Sequence, residues 1–182
     1  MIKAGSIIPE QRRGLRMATV AAAILLAAAF ITDLRKQIIP NWLNLFFSGA
    51  GLLYHLAAGG WAGGLSAFEG MASGAGPLLL LYLFRGIGAG DVKLFGALGV
   101  WVGVIPVLQV LLYSILYAGL IGIVFVIVNK PLAKRMVTGA IALVVPGMNM
   151  SRQGWMAWAS GGRTFPFMLA VLPGALTAWL YV

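Results

Sequence analysis

Apolar residues run without a break from Met17 to Ile31 (MATVAAAILLAAAFI), and the same design recurs down the chain, with hydrophobic stretches parted by short polar or glycine-rich breaks. Residues 17–31 make only about 22 Å of helix, whereas a hydrocarbon core of about 30 Å takes roughly 20 residues. The first helix must therefore borrow from GLR before it or TDLRK after it, which sets Asp33 close to a membrane boundary. Pro40 disfavours helix at Ile39 and suits the start of the next one, an apolar helix over Trp42 to Leu56. AAGGWAGG predicts a tight turn, and residues 65–84 a third span in which Gly70 and Gly74 form a small-xxx-small face for close packing. Residues 94–105 are apolar but make only about 18 Å of helix. A full span ending at Pro106 would begin near Gly86 and carry Asp91 more than one turn inside; a short helix that never crosses is the alternative. Residues 107–128 predict a further span, ended by the basic NKPLAKR. VTGAIALVVPG reads as a half-helix or an amphipathic stretch, MNMSRQGWMAWASGGRT as a loop with interfacial tryptophans, and residues 166–182 as a last, proline-interrupted span. The expectation is an all-α polytopic membrane protein with about six transmembrane helices, one membrane-embedded domain over residues 1–182 with a polar N-terminal head at residues 1–16.

Composition agrees. The 182 residues are 61% hydrophobic and 9% charged, against roughly 25% charged in a soluble domain, and the mean hydropathy is +0.96. The net charge of +9 would suggest nucleic acid in a soluble chain. Here the basic residues stand between apolar runs, where anionic lipid headgroups attract them, and no water-exposed segment is long enough to bind nucleic acid. The absence of cysteine excludes disulfides, thiolate chemistry and cysteine metal sites. The single histidine, His55, precedes the glycine-rich turn and reads as a helix-end residue, so neither metal nor cofactor is expected. The first segment has the charge order of a signal peptide, but no cleavage site precedes Asp33 and it reads as a retained helix.

Helix parity puts Asp33 and Asp91 on one side of the membrane, with Arg35, Lys36, Arg85, Lys93, Lys130, Lys134, Arg135, Arg152 and Arg163. The charge bias makes that side cytoplasmic, although Lys3, Arg12, Arg13 and Arg16 in the head would then lie outside, against the same rule. Of the four acids only Asp33 and Asp91 share a side and a depth; Glu69 reads as interfacial. Two carboxyls at hydrogen-bonding distance do not both ionise easily. The ionised one can take a proton from water while the protonated one polarises a carbonyl. Gly86, Gly88 and Gly90 would supply unusual backbone angles and room for an extended peptide beside Asp91, or simply a flexible turn. From the residues alone, a small proton- or cation-coupled transporter and a structural membrane subunit with helix-capping acids stand beside the enzyme.

Two segments resemble the type IV prepilin peptidases, membrane aspartyl proteases with a GxGD motif. DLRKQIIPN is similar to the first motif, with Asp33 in the place of one catalytic aspartate and Ile39, Pro40 and Asn41 at its end. GAGDVKL, residues 88–94, is similar to the second, with Gly88, Gly90, Asp91 as the other catalytic aspartate, then Lys93 and Leu94. Gly96 and Gly99 continue the family's small-residue helix face, and RTFPFMLAVLPGA looks like the start of its last helix. The resemblance implies a multi-pass protein of the bacterial inner membrane that cuts the basic leader from prepilin or pseudopilin precursors after a glycine, at the cytoplasmic face. With no cysteine and no room for an insert in TDLRK, the chain resembles the short, peptidase-only form of tight-adherence pili, without methyltransferase activity. The resemblance implies that Asp33 and Asp91 share a proton and activate one water. The resemblance implies the precursor as partner, the apolar composition implies membrane lipids, and the oligomeric state stays open.

Overall fold

The computed structural model describes residues 9–36, 39–84, 87–128 and 167–181, and among these the only regular secondary structure is helix. In chain order the helices are α1 (Pro9–Lys36), α2 (Asn41–Leu83), α3 (Ala89–Val102), α4 (Val104–Val128) and α5 (Met168–Tyr181). The expectations for residues 137–150, for the tryptophan loop, for Gly86, and for Lys3, Arg85, Lys130, Lys134, Arg135, Arg152 and Arg163 lie outside the described residues. So do the side chains of Arg12, Arg13 and Lys36. Within the expected polar head, residues 9–16 already belong to α1.

Two glycines set the path of the chain. Gly60 breaks α2 with φ 58° and ψ −145°, a backbone state that L side chains avoid. A Cβ on Gly63 would strike the His55 carbonyl, and one on Gly64 the Leu56 side chain. The two arms of α2 therefore fold back on each other at the predicted glycine turn. Gly103, φ 81°, separates α3 from α4, and its N–H donates to the Gly99 carbonyl at 2.9 Å. The break falls at Gly103 and not at Pro106, which stands in the first turn of α4, where a missing N–H removes no helical bond.

α3 is the core. Leu94, Phe95 and Leu98 are fully buried, and Ala97 and Val100 nearly so. It packs between the arms of α2 with α1 and α4 alongside. Gly51 on the first arm meets Val100 and Trp101, and the Trp101 indole N–H donates to the Phe47 carbonyl at 2.9 Å. On the second arm Gly70 and Gly74 lie against the backbone of Gly99 and Phe95. The predicted small-residue face is thus the seam against α3. Across the molecule α5 packs on α4, with Gly174 against Ser114 and the Tyr117 and Thr177 hydroxyls 3.0 Å apart.

The expected about six transmembrane helices are not found. Among the described residues there are five helices, and two stretches, Arg16–Arg35 and Val104–Phe125, are long and apolar enough to cross a membrane. The correction has two physical causes. α3 and α5 have 14 residues each, about 21 Å of helix. The α2 arms are diluted by glycine and alanine and carry Asn44, Ser48, His55 and Glu69. The first span does borrow polar neighbours on both sides, from Arg16 to Arg35. The surface is strongly apolar, with Leu45, Leu53, Leu80, Ile105, Leu112 and Ile123 all exposed, as hydrocarbon surroundings allow.

Candidate active site

Three helix ends converge. Asp33 lies one turn before the end of α1, Asp91 in the first turn of α3, and Met168 opens α5. Asp33 is only 8% exposed. Its carboxylate accepts a hydrogen bond from the Met168 backbone N–H, while Oδ2 is buried with no partner among the described residues.

Asp91 is the third residue of α3, with Gly88 at the N-cap. The Gly88 N–H donates to the Asp91 carboxylate and the Asp91 N–H donates to the Gly88 carbonyl at 3.2 Å, a reciprocal pairing of cap and first turn. Burial, and next the negative charge of Asp33, push the Asp91 carboxyl up to about 6, against the lowering effect of the Gly88 bond. The two acids therefore feel each other's charge. Asp91 stands in the first turn of a short helix, not more than one turn inside a full span, so of the two expectations for this segment the short helix holds.

The raised Asp91 carries a stability consequence with a definite sign. Between the ordinary value of 3.8 and about 6 the folded protein binds more protons here than the unfolded chain, so stability falls as pH rises through that window. Asp91→Asn removes the penalty. Thermal unfolding in detergent should show it more stable than the parent at pH 8, by on the order of 1–2 kcal/mol, with the advantage vanishing near pH 4. A constant difference across that range would mean the Asp91 carboxyl is not raised.

The two motifs are also joined directly. The Lys93 ammonium donates to Asn41 Oδ1 at 2.9 Å, tying the start of α2 to the start of α3. Pro40 is the N-cap of α2 and makes no side-chain cap bond; Asn41 serves Lys93 rather than a cap. Gly88 and Gly90 do not have unusual backbone angles: Gly88 is extended (φ −77°, ψ 149°) and Gly90 is helical. Their use is space. A Cβ on Gly88 would sit 3.4 Å from Asp91 Oδ2, and one on Gly90 3.5 Å from Ile39. Glu69 is exposed on the second arm of α2, and His55 sits near the turn with its ring edge-on to Tyr54, apart from the acids.

Two features went unread in the sequence. Asn44 is buried within the first arm of α2, 3% exposed, with both amide atoms unpartnered among the described residues. An asparagine in the apolar run WLNLFF, three residues after Asn41, was a usable signal. Met168 acts through its backbone, which no side-chain pattern reveals.

A family model described as the type IV leader peptidase family matches residues 20–127. Curated relatives carry the name prepilin leader peptidase/N-methyltransferase. The chain is 34% identical to the one from Aeromonas hydrophila over 116 residues, 59% of this chain and 39% of that protein. It is 34% identical to that of Neisseria gonorrhoeae over 135 residues, 70% of this chain and 45% of the relative. With that of Bacillus subtilis it shares 27% identity over 172 residues, 90% and 55% of the two chains. The chain thus spans about two-fifths to just over half the length of these relatives. No solved structure matches it.

Proposed function

This chain belongs to the type IV leader peptidase family, and from that premise we propose that it is an aspartyl endopeptidase that removes the short basic leader of a prepilin-like precursor. The cut follows a glycine, at the cytoplasmic face of the bacterial inner membrane. One observation carries the proposal: Asp33 and Asp91, from distant parts of the chain and each in a family-like motif, stand close enough that the charge of one raises the pKa of the other.

In this mechanism the pair holds one proton. The ionised carboxylate takes a proton from a water held between the acids, and the hydroxide attacks the carbonyl carbon of the leader's last glycine. The protonated acid donates to the carbonyl oxygen as the tetrahedral intermediate forms. Collapse breaks the C–N bond: the acid that took the water's proton gives it to the leaving amine, which becomes the new N-terminus, and a hydroxyl of the intermediate returns its proton to the other carboxylate, so the pair again holds one proton. The precursor's apolar helix lies in lipid, with an extended scissile segment between α1 and α3. Burial keeps the acids coupled by thinning the solvent that would screen them.

The test uses the full chain in phosphatidylethanolamine–phosphatidylglycerol liposomes with a small pilin-like precursor whose glycine precedes its apolar helix. Mass spectrometry should find a product beginning just after that glycine. Precursor that stays intact beside folded protein overturns the proposal.

A further inference from the structure

We infer that the start of α5 is a working part of the acid site: the Met168 backbone N–H is a positioning group that holds one oxygen of Asp33 and leaves the buried Oδ2, unpartnered among the described residues, for the reaction. The inference rests on the aspartyl-peptidase reading above, and it concerns a helix beyond the residues 20–127 matched by the family model.

Two independent contacts tie this helix start to Asp33 and to the helix that carries Asp91. The Met168 N–H reaches the Asp33 carboxylate. One residue earlier, the Phe167 ring lies 6.3 Å from that of Phe95. Phe95 is four residues after Asp91 and so shares its face of α3. The Met168 N–H is free for this duty. The first bonds within α5 run from the Ala170 and Val171 N–H groups to the Phe167 carbonyl, so the first residue's N–H has no acceptor in its own helix. It also stands at the positive end of the helix dipole, which favours an ionised carboxylate. Asp33 needs such a partner: a carboxylate 8% exposed, with Oδ2 unpaired, would otherwise be stranded. With one oxygen fixed the side chain cannot swing, and the free oxygen keeps one bearing toward the scissile bond.

The experiment separates the N–H from the side chain. Met168→Pro deletes the donor together with the side chain, and proline is accepted at the first helical position. Met168→Ala keeps the donor and removes the buried side chain. Dicyclohexylcarbodiimide, which reacts with protonated carboxyls, is applied to each folded variant near neutral pH, and labelling of Asp33 is read by peptide mass. Several-fold more label is expected in the proline variant than in the alanine variant, since loss of the donor destabilises the ionised form. For precursor cleavage, kcat should fall about tenfold to a hundredfold in the proline variant relative to the alanine variant, with KM unchanged. Equal labelling, or a fall in kcat that the alanine variant shares in full, overturns the inference. Unequal labelling in a protein whose parent leaves every precursor intact overturns the peptidase reading and leaves the hold on Asp33 standing. If the proline variant does not fold, the α-hydroxy analogue of methionine at position 168 replaces the amide N–H by an ester oxygen and takes its place in the same comparison.

Discussion

Asp33→Asn and Asp91→Asn should each abolish leader cleavage while leaving the protein folded. Asparagine keeps the shape of aspartate but can neither take a proton from water nor give one to the carbonyl. General acid–base help contributes about 10²–10⁴-fold, so each variant should fall to background in the liposome assay. The fold should survive, because the contacts that hold the two side chains tolerate the exchange. An amide oxygen at position 33 still accepts from the Met168 N–H, and one at position 91 still accepts from the Gly88 N–H. Folding is read by monodispersity in detergent and by thermal unfolding. Cleavage within tenfold of the parent in either variant would refute a two-carboxylate mechanism. Cleavage lost in only one would assign the chemistry to a single acid and leave the other as a cap.

A second large effect is expected far from the acids, where α3 crosses the second arm of α2. Gly70 and Gly99 face each other so closely that a Cβ on either would strike the other's carbonyl. Gly74 stands in the same relation to the Phe95 carbonyl. A flexible side chain could yield to an added methyl, but backbone in a packed helix cannot, so the helices must part. Gly70→Ala and Gly99→Ala should each cost about 1–3 kcal/mol or more, a large fraction of the stability of a marginally stable chain. Gly119→Ala and Gly122→Ala on α4 are the controls: nothing lies within 4 Å of the added Cβ, and alanine favours the helix by roughly 1 kcal/mol. Thermal unfolding of the four variants decides the matter. Stability of Gly99→Ala equal to that of Gly122→Ala would mean that the seam is looser than described. Because Asp91 stands in the first turn of α3, opening this seam should also misplace the acid and lower cleavage by whatever protein remains folded.

The sequence exposed the acids well and the membrane layout less well. Asp33 and Asp91 stood out because ionisable residues are rare in this chain, four acids in 182 residues, and each sat beside a recognisable motif. Gly70 and Gly74 announced a close-packing face, and AAGGWAGG announced the turn that Gly60 makes. The count of crossings failed because apolar length was taken for span. A 14-residue helix can be mostly apolar and still be a core element, as α3 is. Of the two uses read for the glycines beside Asp91, Gly88 and Gly90 provide space and not an unusual backbone angle.

By itself the sequence determined the helical class of the described residues, the apolar surface, the break at the glycine-rich turn and the two acids that stand in family-like motifs. All of these follow from local chemistry: hydropathy, glycine's missing side chain and the cost of charge near hydrocarbon. Only the tertiary structure decided which partners each group meets: Lys93 with Asn41, Gly70 with Gly99, and Asp33 with the backbone of Met168, 135 residues further along the chain. Contacts of that kind depend on where whole helices come to rest, and a backbone N–H carries no residue type by which a sequence could mark it.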